Sequence, residues 1–425
     1  MKYKKVEKKN YRLHLIKTKR FKSIRICFKI RIPLVKDDIT KSSLLCDVLN
    51  YSSKKYPTAL DVSNHSMDLY GSYINMGTIR EGNSLVFSFS ISFLNNKYTE
   101  ETMLKESIDF ISELIFNPSV DNNKFNEEAL SVCKNYLKGA INSLKDDPAS
   151  YAQYQMLNNM NNKKSYSFNM IGNLDDLDKI STNNLYEYYL QVIKTGVVDI
   201  YVIGDISFIE IQNLLKNKIK FLGDKNKAIE VFNYDDEENK EKEILEVSYN
   251  NQSKLSIGCK ILNNNTSKIR YPLFLYNIIL GASSDSKLFN NVREKGSYVY
   301  SINSHFESLD SIIIINCGLD YKNYEQVLKM IKKEMQDIKN GFITDEEIEE
   351  AKRTYVNANK LIYDSPSMII DNYYAETLDY FDILDTRVEE VLKLTKEDIS
   401  NFAKDVKIDT IFLLKEGTLN EENPN

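Results

Sequence analysis

Histidine is nearly absent from this 425-residue chain: His14, His65 and His305 are the whole supply, and no two lie within five residues of each other. A helical zinc motif needs two imidazoles one turn apart, so the chain cannot write one. Cysteine does not fill the gap. Cys27, Cys46, Cys133, Cys259 and Cys317 are odd in number, widely scattered and without a C-x-x-C pair. Nothing there reads as a zinc knuckle or a disulfide framework, and reduced, buried thiols are expected. Long apolar runs are missing too, since no stretch approaches the ~18 residues of a membrane helix. The opening M-K-Y-K-K-V-E-K-K-N-Y-R has no apolar segment of the kind a secretory signal requires. Surplus basic charge is the last absence: the formal net charge is -5, which argues against a nucleic-acid footprint. The expectation is a cytoplasmic protein that meets neither nucleic acid nor membrane.

What is present is the composition of an ordinary globular chain, with 42% hydrophobic and 28% charged residues. Its length suits two or three domains. The order of elements repeats. In the first half an alternating strand, Ile24-Arg25-Ile26-Cys27-Phe28-Lys29-Ile30, ends at Pro33 and is followed by an apolar helix near residues 41–49. A strand over residues 84–91 and a helical region from Thr99 to Leu144, broken at Asn117-Pro118, come next. The second half offers a strand over residues 255–261, a helix near residues 271–280, a strand over 312–317 and helices from Tyr324 to Leu361. The sharpest match is a helix opened by Asn126-Glu127-Glu128 and closed before Asp146-Asp147-Pro148. Its counterpart is opened by Asp345-Glu346-Glu347 and closed before Asp364-Ser365-Pro366, 219 residues later at the start and 218 at the end. Acidic first turns suit helix N-termini.

Between the halves, residues 223–227 and 235–243 form a charged run with nothing to bury, read as an exposed linker. The domains are therefore set at residues 1–222 and 244–425 around a linker at 223–243. Just before it lie a buried strand, residues 198–205, and an amphipathic helix around residues 210–221. The Gly204-Asp205 between them lacks the glycine pattern of a phosphate site.

Two tandem α+β halves, together with Arg293-Glu294-Lys295-Gly296-Ser297-Tyr298-Val299-Tyr300 after L-G-A-S-S-D-S-K-L-F-N-N-V, resemble the insulinase-like (pitrilysin-type) zinc peptidases. Residues 69–78 resemble that family's L-G-G-x-x-N-A-x-T stretch, and Val202-Ile203-Gly204-Asp205 the end of its first half. The likeness covers nearly the whole chain. It implies two homologous halves, each a mixed, mainly antiparallel sheet flanked by helices, arranged as a clamshell.

Catalytic members carry an inverted zinc helix, H-x-x-E-H-M-x-F-K-G-T. The matching stretch here begins Ser43-Leu44-Leu45-Cys46-Asp47, so the two histidine ligands fall on Ser43 and Asp47 and the glutamate base on Cys46. The third ligand falls on Ala140, ahead of Asp146-Asp147-Pro148. One usable ligand cannot hold a catalytic zinc, and the spacing does not bring His65 round to form another metal site. In the substrate segment, catalytic members read R-E-K-R-G-L-A-Y. Arg293, Glu294, Lys295 and Tyr300 match, whereas Gly296, Ser297 and Tyr298 depart.

The resemblance therefore implies a chain with no cofactor and no catalysis of its own. It would be the non-catalytic subunit of a heterodimeric zinc peptidase, with Arg293 and Tyr300 binding the peptide substrate. Zinc is expected in a partner, an insulinase-like subunit of the same bacterial type. The alternative is a stand-alone pseudo-peptidase homodimer that binds peptides or scaffolds an assembly.

Overall fold

The computed structural model describes residues 1–234, 239–263, 270–378 and 381–417. The chain forms two compact units. Unit 1 is built from Met1–Asn142, Asn169–Val231 and Ser365–Tyr374, and unit 2 from Ser143–Phe168, Phe232–Asp364 and Ala375–Asn425.

Unit 1 holds a six-stranded sheet. Its strands are β1 (Lys2–Glu7), β2 (Tyr11–Lys17), β3 (Ser23–Pro33), β4 (Tyr73–Glu81), β5 (Ser84–Leu94) and, after a two-strand hairpin of β6 (Val120–Asp121) and β7 (Lys124–Phe125), β8 (Val197–Gly204). The spatial order is β1-β2-β8-β3-β5-β4. Only β2 and β8 pair in parallel; the other neighbours are antiparallel. Alternation along β3 sends Ile24, Ile26, Phe28 and Ile30 into a large apolar core and Arg25, Cys27, Lys29 and Arg31 to the opposite face. The helices α1 (Ile39–Tyr51), α2 (Ala59–Asp68), α3 (Met103–Phe116) and α4 (Glu127–Asn142) contribute to that core. The helix α2 starts on a capping box between Thr58 and Asp61.

Unit 2 holds β9 (Lys242–Ser248), β10 (Ser253–Ile261), β11 (Val299–Glu307), β12 (Ile312–Leu319) and β13 (Val406–Glu416), in the order β11-β12-β10-β13-β9. Again the first and last strands of the unit, β9 and β13, form the single parallel pair, and the others are antiparallel. With β1 set aside, each sheet reads first, last, second, fourth, third. The two halves share one topology, as a duplicated α+β chain requires.

The stretch expected to be a linker is not simply exposed. Val231 and Asn233 are buried. The Asn233 side chain donates to Ser165 Oγ and Asp310 Oδ1, both at 2.9 Å. Residues 235–238, the acidic middle of that stretch, lie outside the described residues.

Each D-x-P site marks a point where the chain leaves its own unit. After a short 3-10 turn, Pro148 opens α5 (Pro148–Asn161), and this helix covers the free face of the unit 2 sheet. Ala152, Met156 and Met160 pack there on Ile312, Ile314 and Phe412. A Cβ on Gly258 would meet the sulfurs of Met156 and Met160 and push both side chains aside, so glycine lets α5 lie close to the sheet with these methionines in place. Reciprocally, Pro366 opens the helix Pro366–Thr377, whose residues up to Tyr374 belong to unit 1.

The surface met there is polar. Asp371 accepts from Lys29 Nζ at 2.8 Å, Tyr373 stacks on Tyr3, and Tyr374 meets Tyr201 edge-on. Alongside, Asp199 accepts two 2.6 Å bonds from Arg12 and hydrogen-bonds to His14 at 2.9 Å. Burial alone would raise the Asp199 carboxyl, but the His14 and Arg12 bonds hold it below its usual range.

Because α5 fixes one whole face of unit 2, Met160→Ala is expected to cost about 2–5 kcal/mol by cavity formation. Urea denaturation measures the loss, and proteolysis should cut first within residues 143–168.

Candidate functional site

The helix α1 builds one wall of a cavity of about 990 Å³ lying wholly in unit 1. Leu44, Leu45, Val48 and Leu49 turn into the core. One turn apart on the other side, Ser43 and Asp47 line the cavity, with Cys46 between them. Across from α1, α4 presents Cys133, Tyr136, Leu137 and Ala140 at helical spacing. The structure thus gathers Ser43, Cys46, Asp47 and Ala140 around one space.

Their chemistry is not that of a metal site. The Ser43 hydroxyl donates to the Met170 carbonyl at 3.0 Å. Burial, reinforced by the neighbouring Asp47 charge, drives the Cys46 thiol well above its ordinary pKa, so it stays protonated and offers neither a thiolate ligand nor a base. Cys133 is pushed up to about 12 by burial and the same charge. Ala140 brings a methyl group. Asp47 remains as one anionic donor where a catalytic zinc needs about three ligands; these residues do not fit the metal. No group of three or more His, Cys, Asp or Glu side chains able to hold a metal occurs among the described residues.

The three histidines lie in separate places. His14 is buried beside Asp199. His65 stacks on Tyr56 and meets Phe110 edge-on, with centroids 4.7 Å apart in both cases. His305 lies in β11 of unit 2.

The second candidate pair, Arg293 and Tyr300, lies in unit 2. Arg293 sits in a wide, π-type helical stretch, Phe289–Lys295, a geometry that recurs at functional sites. Its guanidinium lies 4.7 Å over the Phe289 ring, and its side chain is 41% exposed. Gly296 closes the stretch because a Cβ there would fall 2.7 Å from the Val292 carbonyl oxygen. Ser297 then takes φ +53°, a left-handed conformation that favours glycine, and glycine is the residue the R-E-K-R-G-L-A-Y pattern has at this position.

Simple alternation from Tyr298 predicts that Tyr298 and Tyr300 share a strand face. Instead β11 begins at Val299, and the ladder slips between Val299 and Ser301. Tyr300 occupies that bulge, 58% exposed, and its phenol donates to Asp320 Oδ1 at 2.9 Å. A bulge re-aims a side chain without moving the strand. No signal in the one-dimensional pattern announces it.

Residues 179–355 match the family model of the peptidase M16 inactive domain. The chain is 28% identical over 405 residues, 95% of each sequence, to the probable inactive metalloprotease YmfF of Bacillus subtilis (strain 168). It is 23% identical over 248 residues, 58% of each, to the uncharacterized zinc protease YmxG of the same organism. A solved structure of a conserved protein from Enterococcus faecalis V583 superposes with TM-score 0.90 at 27% identity, covering 99% of this chain and 100% of that one. The chain is thus similar to the insulinase-like (M16) peptidases, and in particular to proteins described as inactive members of that family.

Two outcomes follow from the cavity. Elemental analysis of the purified chain should find no stoichiometric zinc, and no chelator-sensitive proteolysis should accompany it. The second concerns pH. Asp47 opens onto the cavity, yet the apolar walls around it desolvate its carboxyl and hold it at about 6, against an ordinary 3.8. The folded state therefore binds this proton more tightly than the unfolded chain does. Its contribution to stability falls as pH rises from about 4 to about 6 and stays low above that. Asp47→Asn removes the loss, so chemical denaturation should show the variant gaining on the wild type at pH 7.5 and not at pH 4.

Proposed function

We propose that the chain is the non-catalytic subunit of a heterodimeric zinc peptidase of the bacterial cytoplasm. Its partner is an insulinase-like subunit that carries the zinc. This chain supplies Arg293, Tyr300 and half of a peptide-enclosing chamber. One observation carries the reading: the positions matched to the metal motif hold residues that do not fit a metal, while Arg293, Glu294, Lys295 and Tyr300 match the substrate segment and Arg293 and Tyr300 are exposed. A chain kept only for its shape would have no use for that selective survival. Bacillus subtilis supports the division of labour, having one relative named as inactive and another named as a zinc protease.

A guanidinium and a phenol can both donate to the carbonyl oxygen of a peptide as charge develops on it. Tyr300 has a single proton, and Asp320 accepts it here. Substrate must compete with that carboxylate, which also raises the phenol's pKa and keeps it protonated as a donor.

In the pair reconstituted with its zinc subunit, Arg293→Ala or Tyr300→Phe should lower turnover at least about tenfold, given that losing one such donor typically costs ~10²–10³. Size exclusion should show association unchanged. Wild-type turnover in both variants, or no zinc-bearing partner recovered from the native host, would instead support the homodimeric peptide-binding or scaffold reading.

A further inference from the structure

The unit 1 cavity contains a charge that nothing answers. Asp47 is the one charged side chain among the residues that line it. Among the described residues only desolvation acts on its carboxyl, with no lysine or arginine placed to offset it. Asp47 itself is exposed, so it can meet a ligand, and the apolar surroundings strengthen its attraction for a cation brought beside it.

The remaining walls are of two kinds. Tyr51, Tyr73 and Tyr136 bring aromatic rings, and Met67, Met76 and Met170 bring thioethers. Met67, Tyr73 and Tyr136 are 69%, 62% and 74% exposed. Single exposed apolar residues need no explanation, but these converge on one concave space. Ring faces attract cations, and methionine adapts to varied apolar partners. At about 990 Å³ the cavity lies at the upper end of the ~300–1,000 Å³ of ligand pockets, more room than a small free amine fills.

A metal ion is poorly served here, since the cavity offers a single anionic donor. A guanidinium is well served. Its planar fork matches a carboxylate through two parallel N–H bonds, and its faces stack on aromatic rings.

We propose that this cavity receives an extended peptide through one arginine side chain, which pairs with Asp47 and stacks among the tyrosines while apolar flanking residues lie against the methionine-lined wall. The cavity belongs to this chain alone. The assignment therefore stands or falls apart from any role of Arg293 and Tyr300 in a heterodimer.

The test uses the full chain and two acetylated, amidated nonapeptides with apolar flanks, one with a central arginine and one with citrulline, the uncharged isostere of arginine. Isothermal titration should show the arginine peptide binding at least about tenfold more tightly, the scale of one charge-assisted pair. In Asp47→Asn, confirmed as folded by circular dichroism, that ratio should fall to near one. Tyr136→Ala should weaken the arginine peptide more than the citrulline peptide. Equal affinities in the wild type, or a ratio that survives in Asp47→Asn, would overturn the proposal. So would n-butylguanidinium alone binding as tightly as the arginine peptide, because the occupant would then be a free cation.

Discussion

A β-sheet has two faces, and neither can be left bare when both carry side chains that need partners. In each unit of this protein the helices close in sequence cover one face. The second is covered by a helix that the chain sends over from its other half. Everything else in the fold is arranged around that exchange: the placement of Asp147-Pro148 and Ser365-Pro366, the 3-10 turns before them, and the glycine at position 258. The two exchanged helices meet different chemistry. The helix α5 lies on Ile312, Ile314 and Phe412, where burial of apolar area suffices. Residues 365–374 lie on charged and aromatic groups, where Lys29, almost wholly buried, depends on Asp371 for its counter-charge. Stripping one member from such a pair leaves an uncompensated buried charge, which costs far more than the pair contributes.

The cavity in unit 1 shows how a catalytic position can lose its chemistry and keep its architecture. Ser43, Cys46 and Asp47 stand at i, i+3, i+4 along one side of the helix, while the intervening Leu44 and Leu45 and the following Val48 and Leu49 are core residues. Packing holds the walls in place, so no metal is needed to keep the space open. The lining is one carboxylate among rings and thioethers, which is no ligand set. The same split between backbone and chemistry recurs at Ser297, which keeps a left-handed turn without the glycine that makes it easy.

Much of this was legible in one dimension, for identifiable reasons. Period-two alternation in Ile24–Ile30 and residues 84–91 marked strands with one apolar face, and the strands found run three residues further at their C-terminal ends. The matched D-x-P sites announced the duplication, which the shared strand order bears out. The destination of the helices that follow those prolines was not legible. Local sequence fixes where a helix starts, but which sheet it covers is decided by surfaces hundreds of residues away. The charged composition of residues 223–243 hid the buried Asn233, whose partners Ser165 and Asp310 are also distant. At the site, Ser43, Asp47 and Ala140 could be named from the sequence, and the structure adds that they line one cavity. The bulge under Tyr300 and the carboxylate that caps its phenol could not.

The exchange has a consequence for how the protein comes into being. Lys29 and its counter-ion are 342 residues apart in the chain. At ~5–20 residues per second on the ribosome, roughly 17–70 s separate their synthesis. Through that interval the nascent first half carries a folded sheet face studded with charge and lacking its cover, while α5 waits for a sheet not yet made. Unit 1 cannot reach its final form until Ser365–Tyr374 has been made. The first half must remain soluble in an unfinished state, and a polar uncovered face suits that wait better than an apolar one would.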